Sequence, residues 1–303
     1  MRRLQPIVGL AVIAILPTLN WAASSQQGGE VLVDAAPAHE PARMDEPRRA
    51  LAEGWRAYQQ GDLPTAIRAY RTALELTPRD ASLWYDLGCL YAFDREREFA
   101  RAALQRALRL NPRLAQAYDA LGQLDEQEGR FSQAQMCYAS AEALTPNDAT
   151  VLRHLARALM HLDEFEAARR VLRELLVVAP MDPEAYYQVG VIELRADHPD
   201  LAMIAFQNVL ELKPDHVMAL NGLGLAFART GAFDEAVSVL EKAKTLDPGN
   251  ASTETNFGIV AARRDDWGAA RAAWQRALEL TPQFEPAVRN LEALNALTSS
   301  SSP

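Results

Sequence analysis

The residues best suited to chemistry are two histidines and two cysteines, and their spacing favours neither metal binding nor catalysis. His154 and His161 are seven residues apart, about two turns along one helix face, so one metal ion would need further ligands from elsewhere. Cys89 and Cys137 fall in different predicted helices, whereas a disulfide needs Cα atoms within about 7 Å. We therefore expect two buried free thiols.

Sequence motifs for catalysis or cofactor binding are not found. The chain has no HExxH, no glycine-rich phosphate loop, no serine nucleophile elbow and no CxxC. We therefore predict that the protein is not an enzyme and that it holds no metal or cofactor. The 40 acidic residues against 31 basic ones give a net charge of −9 at pH 7. Nucleic-acid-binding domains are normally basic, so nucleic acid is not expected as a partner.

A proline recurs at a constant interval along most of the chain. This column consists of Pro78, Pro112, Pro146, Pro180, Pro214, Pro248 and Pro282. An alanine column keeps the same step without exception, at Ala66, Ala100, Ala134, Ala168, Ala202, Ala236 and Ala270. A glycine column, with Ala156 in the fourth interval, consists of Gly54, Gly88, Gly122, Gly190, Gly224 and Gly258. Each interval also carries two apolar runs at the spacing of amphipathic helices.

This helix–turn–helix period resembles that of the tetratricopeptide-repeat (TPR) family, over seven consecutive units in residues 47–284. The resemblance implies an all-α fold, a right-handed superhelical solenoid of helix–turn–helix repeats. The small residues of the columns lie where paired helices approach closely, and large residues such as Tyr138 and Phe206 fill the space beside them. Stacked neighbours then bury a continuous core. We therefore assign the column residues to packing.

Two units depart from the regular turn. Residues 94–98 in the second unit and residues 197–200 in the fifth replace the expected glycine-containing turn with charged residues. One interpretation is a solvated turn followed by a helix N-cap. The alternative is a local kink that shapes a binding surface.

Residues 1–25 have the pattern of a secretory signal peptide. Arg2 and Arg3 precede the uncharged apolar run Ile7–Leu16, and small residues follow. This run is short for a membrane-spanning helix, which needs about 20 residues, and an uncleaved anchor over residues 6–23 is the alternative. With the Ala-, Arg- and Leu-rich composition, the pattern favours a periplasmic or secreted protein of a bacterial cell envelope. The alternative is a membrane-anchored protein that faces the periplasm.

The segments that flank the repeats lack the repeated columns. Residues 26–46 are rich in Gly, Pro and Ala and have no helical period, so we predict a flexible linker. Residues 285–297 carry apolar residues at steps of three, which predicts a single capping helix after the last repeat. Residues 298–303 are predicted to form a polar, disordered tail.

The resemblance also implies a binding surface, because in the TPR family the first helices line a concave groove that contacts peptides. The candidate groove residues are Trp55, Tyr58, Tyr85, Phe93, Gln123, Gln127, Arg153, Arg157, Tyr187, Arg195, Asn221, Arg229, Asn256 and Arg263. Arg195, Arg229 and Arg263 recur at the repeat interval and should form a ladder on one wall. Guanidinium groups pair with carboxylates in bidentate geometry, so we expect a protein or peptide ligand with an acidic sequence or a free C-terminus. The alternative is that these basic residues only solvate the helix ends.

Three classes of function are consistent with the sequence. The favoured one is a non-enzymatic protein–protein interaction scaffold of the cell envelope, which holds partners while an envelope complex assembles. The second is an adaptor or regulatory subunit of a periplasmic enzyme. The third is a self-assembling structural oligomer, against which the capping helix argues because it covers the last stacking face.

Overall fold

The computed structural model describes the backbone of residues 40–300 and the side chains of residues 46–297. This part of the chain consists of 15 α-helices and contains no β-strand. The helices are α1 (Glu40–Gln59), α2 (Leu63–Leu76), α3 (Ala81–Phe93), α4 (Arg97–Leu110), α5 (Ala115–Gln127), α6 (Phe131–Leu144), α7 (Ala149–His161), α8 (Phe165–Val178), α9 (Pro183–Arg195), α10 (Pro199–Leu212), α11 (Val217–Thr230), α12 (Phe233–Leu246), α13 (Ala251–Arg263), α14 (Trp267–Leu280) and α15 (Glu285–Ser300). None of these helices combines the length and the apolar character of a membrane span.

Three sequence predictions fall wholly or partly outside the described residues. They are the signal peptide or anchor at residues 1–25, most of the predicted linker, and the last three residues of the predicted tail. The described end of the linker differs from the prediction, because α1 begins at Glu40 and residues 40–46 are helical. Pro47 lies inside this helix, where it removes one backbone hydrogen bond without ending the helix.

The C-terminal boundary also differs from the prediction. α15 continues to Ser300, so residues 298–300 of the predicted tail are helical. Serine and threonine reduce helix propensity by only about 0.5 kcal/mol each relative to alanine, and no proline or glycine lies between Pro286 and Pro303 to stop the helix.

The helices form two compact units, which meet in sequence between Asp163 and Glu164. In the first unit, α1–α2, α3–α4 and α5–α6 pack as pairs, successive pairs contact each other, and α7 packs on α6. In the second unit, α9–α10, α11–α12 and α13–α14 pack in the same way, α8 contacts α9, and α15 packs on α14. Each unit is therefore a stack of helix pairs with a common core between its layers.

The proline column separates one repeat from the next. Two residues after the column proline, Asp80, Asp148 and Asp182 cap the first helix of the new repeat. The Asp80 carboxylate, for example, accepts hydrogen bonds from the backbone N–H groups of Ser82 at 2.9 Å and Leu83 at 3.1 Å. The proline prevents the preceding helix from continuing, and the aspartate satisfies the free N–H groups of the next one.

The turn inside each repeat has the same backbone geometry throughout. A residue with positive φ, between 57° and 84°, follows each of the first helices α1, α3, α5, α7, α9, α11 and α13: Gly61, Arg95, Gly129, Asp163, Asp197, Gly231 and Asp265. The two irregular turns of the sequence therefore adopt the conformation of the glycine turns. Their following helices, α4 and α10, begin without a side-chain N-cap hydrogen bond. A left-handed residue other than glycine costs about 1 kcal/mol, which packing of the two helices offsets.

The glycine column is where the two helices of a repeat approach most closely. A Cβ atom at Gly122 would lie 2.5 Å from the ring of Tyr138, and one at Gly258 would lie 2.2 Å from the indole of Trp274. Both aromatic residues are buried. The Trp274 indole N–H also donates a hydrogen bond to the Thr255 carbonyl at 3.1 Å, which fixes the ring against the first helix.

Buried carboxylates connect successive helices at two equivalent places. In the first unit, Asp125 on α5 pairs with Arg101 of α4 at 3.0 Å and with Arg130, just before α6, at 2.8 Å. In the second unit, Glu193 on α9 pairs with Arg169 of α8 at 3.1 Å and with His198, just before α10, at 3.0 Å. We refer to these as the Asp125 cluster (Arg101, Asp125, Arg130) and the Glu193 cluster (Arg169, Glu193, His198).

The close approach at the glycine column predicts a specific stability difference. Replacement of Gly258 by Ala should lower the free energy of unfolding by about 1–3 kcal/mol, because the new methyl group displaces the buried Trp274 indole. Urea titration followed by circular dichroism measures the change. The matched control is Gly268→Ala on α14, where a Cβ atom meets only Asp266 Oδ1 at 3.6 Å and alanine favours the helix. Equal destabilisation by both substitutions would contradict the packing explanation.

Candidate functional site

Three aromatic residues predicted to contact a ligand lie together in the first unit. Trp55 and Tyr58 stand one turn apart on α1 with stacked rings 5.7 Å apart, and the Phe93 ring at the end of α3 meets Tyr58 edge-on at 6.2 Å. Phe93 is 48% exposed, whereas Trp55 and Tyr58 are half-buried against the core. We refer to Trp55, Tyr58 and Phe93 as the aromatic cluster. It exposes part of its aromatic surface to solvent and packs on the core with the rest.

Tyr85 is corrected from a ligand contact to a core residue. It is 5% exposed on α3, and burial raises the pKa of its hydroxyl above the ordinary value. The nearby Cys89 is also a buried free thiol, and burial raises its pKa to about 12. Cys137 is a half-buried free thiol whose pKa is raised to about 11, again chiefly by burial. Neither thiol ionises readily at neutral pH, which makes both poor nucleophiles.

Arg157, a predicted polar residue in the middle of the first unit, binds a carboxylate of the neighbouring repeat. Arg157 on α7 donates to Glu126 on α5 through Nη2 at 2.7 Å and also contacts it through Nε. The buried Tyr138 hydroxyl donates to the same carboxylate at 2.8 Å. Burial alone raises the pKa of Glu126, but these hydrogen bonds outweigh it and the pKa is lowered. Arg157 is therefore a partner of Glu126 in the folded protein, and the contact of its 39% exposed side chain with a ligand stays a prediction.

A second carboxylate, Asp119, organises the residues beside this pair. His154 Nδ1 lies 2.7 Å from one Asp119 oxygen, and the Gln123 amide donates to the other at 2.7 Å. His161 stacks on the Phe131 ring with centroids 4.2 Å apart. The two histidines therefore have separate partners. Within the described residues, no group of three or more His, Cys, Asp or Glu side chains is arranged to hold a metal ion. The other predicted contacts here are Gln127, exposed at the end of α5, and Arg153, half-buried on α7.

The predicted arginine ladder of the second unit has three different environments. The Arg229 guanidinium donates to the Leu194 carbonyl at 2.5 Å and to Asp197 at 3.1 Å, so it caps the C-terminal end of α9. The Arg195 guanidinium lies 4.9 Å from the centre of the Phe165 ring. Arg263 is exposed at the end of α13. Arg229 thus links successive repeats, because the free carbonyls at a helix end need donors, and its contact with a ligand stays a prediction.

The asparagines of this surface link α11 to α13. Asn221, only 7% exposed, donates from its amide to the Thr253 hydroxyl at 3.0 Å. Asn256 donates in turn to the backbone and side-chain oxygens of Asn221 at 3.3 Å. Tyr187 is half-buried, with its ring 5.9 Å from Phe206 and 5.5 Å from His216. Asn221 is therefore corrected to a buried structural residue.

The TPR consensus matches four stretches of this chain. The description "TPR repeat" matches residues 54–92, and "Tetratricopeptide repeat" matches residues 81–114, 127–189 and 190–251. The helix pairs described above occupy these stretches in consecutive order. The chain belongs to the tetratricopeptide-repeat family. Its TPR units have the all-α solenoid fold that the repeat period predicts.

Known proteins and structures are similar over most of the chain. Superkiller protein 3 of Schizosaccharomyces pombe is 27% identical over an alignment of 212 positions, which covers 64% of this chain and 15% of that protein. Protein O-mannosyl-transferase TMTC1 of Homo sapiens is 26% identical over an alignment of 216 positions, which covers 70% of this chain and 24% of that protein. The chain thus spans about a quarter or less of these relatives' length. A tetratricopeptide repeat protein from Parabacteroides merdae superposes with a TM-score of 0.60 at 15% identity, over 82% of this chain and 99% of that one.

Two carboxylates that organise this surface, Asp119 and Glu126, are absent from the set predicted from sequence. The sequence feature that could have identified them is their distance along the chain from their partners. This distance is 35 residues from Asp119 to His154 and 31 residues from Glu126 to Arg157. Both distances are close to one repeat, so side chains on successive first helices come within hydrogen-bonding distance.

The lowered pKa of Glu126 predicts an acid-dependent contribution to stability. Glu126→Gln should lower the free energy of unfolding at neutral pH by roughly 1–3 kcal/mol, because Arg157 loses its charged partner. A carboxylate whose pKa is lowered by folding stabilises the folded state at pH values above its ordinary pKa of 4.5. This stabilisation is lost as the pH falls through the lowered pKa. The difference between wild type and variant should therefore shrink on acidification below 4.5, as measured by urea titration. Glu75→Gln, at an exposed position on α2, is the control. A difference that is independent of pH would contradict the assignment.

Proposed function

We propose that this TPR protein is a non-enzymatic interaction scaffold of the bacterial cell envelope, and that partner proteins bind to it through the aromatic cluster. The TPR fold supports a protein-interaction role. The observation that carries the choice of surface is the exposure of Phe93 beside Tyr58 and Trp55. Aromatic side chains dominate the energetics of protein interfaces, and rings fixed against a core lose little entropy on binding.

The internal pairing of other predicted groove residues supports the same choice. Arg157, Gln123 and Asn221 already bind other side chains of the protein, so a ligand would have to displace those partners. The aromatic cluster is instead held by contacts between its rings. A partner segment with apolar or aromatic side chains would therefore gain binding energy at the cluster without breaking these internal hydrogen bonds.

The envelope location rests on the N-terminal sequence. Arg2 and Arg3, followed by the apolar run Ile7–Leu16, direct a chain to the secretory pathway whether or not the segment is then cleaved. The scaffold would act in the periplasm, free or held at the membrane by this segment. Assembly of an envelope complex is the process that a multi-repeat binding surface in this compartment would serve.

The second unit offers a weaker place for an acidic segment or a free C-terminus of the same partners. Arg263 is exposed, and Arg195 is exposed beside the Phe165 ring. Arg229 is half-buried and caps the end of α9. We therefore limit the proposed acidic contact to Arg195 and Arg263, the two exposed members of the ladder.

The aromatic cluster is tested by crosslinking in the native host. In a Tyr58→Ser/Phe93→Ser variant of the full-length protein, the amount of crosslinked partner should fall at least tenfold, because the ring surface that partners cover is removed. The measurement is quantitative mass spectrometry of tagged protein captured from separate soluble and membrane fractions. Phe99→Ser is the matched control, since Phe99 is a 58% exposed aromatic residue of the same repeat as Phe93 but lies on α4 outside the cluster. Unchanged capture by the double variant, with a wild-type melting temperature, would refute the proposed surface.

The acidic contact is tested with a variant that preserves the structural arginine. Arg195→Ala/Arg263→Ala should weaken partner capture by about three- to tenfold and remove part of its salt dependence, because two exposed cations are lost. Arg170→Ala/Arg173→Ala, at two exposed positions on α8, is the charge-matched control. If both double variants capture partners equally, the ladder has no role in binding.

A further inference from the structure

The second repeat carries an excess of positive charge at one end of the first unit. Residues 99–118 contain four arginines and no acidic residue, whereas the equivalent stretches of the other six repeats have net charges between −2 and +1. Three of these arginines, Arg106, Arg109 and Arg113, follow one another at steps of three and four residues, which places them on one face of α4 and in the loop after it. We refer to Arg106, Arg109 and Arg113 as the α4 arginine cluster.

The α4 arginine cluster has no ion-pair partner among the described residues, and two of its three members are fully exposed. The fourth arginine of the stretch, Arg101, is instead paired with Asp125 at 3.0 Å. The acids that flank the stretch do not neutralise the cluster. Glu98 lies in the first turn of α4, at the opposite end of the helix, and Asp119 is bound to His154 at 2.7 Å.

The neighbouring helices leave this excess charge in place. Arg71 on α2 and Arg79 in the loop after it are exposed at the same end of the unit. They are matched in number by the exposed Glu75 and by Asp80, which caps α3. The start of α1, residues 40–49, likewise contains three arginines and three acids. The net positive charge of this end therefore comes from the α4 arginine cluster.

The segment before the repeats enters at this same end. Successive helices of the unit are joined by short links and reverse direction, so the loops after α2 and α4 lie beside the start of α1 at Glu40. The sequence before Glu40 contains the apolar run Ile7–Leu16, for which a signal peptide or a membrane anchor is predicted. A chain that is held at a membrane by this run would bring the end with the α4 arginine cluster closest to the lipid.

Aromatic and apolar side chains accompany the arginines at this end. Trp84 and Tyr118 are half-buried near the starts of α3 and α5, and the Trp84 indole N–H donates to the Pro78 carbonyl at 3.0 Å. Leu76, the last residue of α2, is 46% exposed. Tryptophan and tyrosine are enriched where proteins meet the membrane–water interface. The end thus combines unpaired cations with side chains suited to a lipid headgroup layer.

The helix dipole does not explain the whole cluster. A cation in the last turn of a helix interacts favourably with the dipole, which accounts for Arg109. Arg113 lies beyond Leu110, the last residue of α4, where this effect has fallen off. Among the other described second helices, only α12 has a basic residue in its last turn. The repeat itself therefore does not require three arginines here.

We infer that the α4 arginine cluster binds the surface of a membrane that contains anionic phospholipids, with the loops after α2 and α4 facing the headgroups. The occupant follows from charge complementarity and from the entry of the N-terminal segment at this end. The whole chain has a net charge of −9, so an anionic surface repels most of it and favours this one orientation. The aromatic cluster lies at the opposite ends of α1 and α3, so it stays accessible to partners. The inference rests on the proposed envelope location and is independent of the aromatic cluster.

The test is flotation of the full-length protein with vesicles of phosphatidylglycerol and phosphatidylcholine in equal amounts, compared with vesicles of phosphatidylcholine alone. Wild type should prefer the anionic vesicles. In Arg106→Gln/Arg109→Gln/Arg113→Gln this preference should fall by roughly a hundredfold at low salt, because each cation near an anionic surface contributes about fivefold in affinity. The difference should shrink at high salt. The N-terminal segment is present in both proteins and contributes equally.

Hydrogen exchange locates the contact even if the N-terminal segment alone holds the protein on both kinds of vesicle. Amides of residues 105–116 should exchange more slowly on anionic vesicles than on neutral ones in wild type. In the triple variant this difference should disappear. Equal exchange of these residues on the two kinds of vesicle in wild type would overturn the inference.

The matched control is Arg170→Gln/Arg173→Gln/Lys242→Gln, which removes three exposed cations of the second unit and should bind like wild type. Equal weakening by both triple variants would indicate a general effect of net charge and would refute the assigned surface. A cluster variant that floats like wild type but loses crosslinked partners in the host would replace the membrane by an acidic protein. Tyr58→Ser/Phe93→Ser should bind the vesicles like wild type, so the two surfaces are tested separately.

Discussion

The contact between a first-helix glycine and a large second-helix side chain is the constraint on which the rest of this structure depends. Gly122 against Tyr138 and Gly258 against Trp274 leave no room for a methyl group, so the two helices of a repeat have one permitted separation. That separation places the large ring in the core, and it also sets the distance at which the next repeat stacks. Where Ala156 replaces the glycine, the residue at the corresponding second-helix position is Leu172, which is also fully buried.

At this helix spacing, polar side chains on the first helices of successive repeats form hydrogen bonds with each other, and a ligand would have to compete with these bonds. Glu126 with Arg157, and Asn221 with Thr253, join neighbouring repeats through hydrogen bonds of 2.7 Å and 3.0 Å. A repeat surface that is rich in charge by sequence is thus partly neutral in the folded protein. The aromatic cluster departs from this pairing, and it is the surface that we propose for partners.

The repeated columns predict the helices, their pairing and the packing role of residues such as Tyr138, because packing in a repeat array depends on local spacing. The aromatic cluster was also accessible from sequence, since Tyr58 and Phe93 are about one repeat apart. The pairing of Glu126 and the burial of Asn221 could not be predicted from the sequence. Both depend on the spacing between helices to within a fraction of an ångström. The turns presented a different difficulty: Arg95 adopts a conformation typical of glycine because the adjacent helix pair holds it there.

The Asp125 and Glu193 clusters show that a contact can recur in a repeat array although its residue types change. Their members correspond one to one, and each pair of equivalent positions lies two repeat intervals apart. The intervening repeat has Gln135, Leu159 and Glu164 at the same places, so its residues cannot form such a cluster. The positions two further intervals along hold Val237, Ala261 and Asp266, so the cluster does not recur there either. Asp125 with Arg130 and Glu193 with His198 thus make the same link between helices with different residue types. Such a contact is defined by its position in the repeat, and a search by residue identity would miss the second cluster.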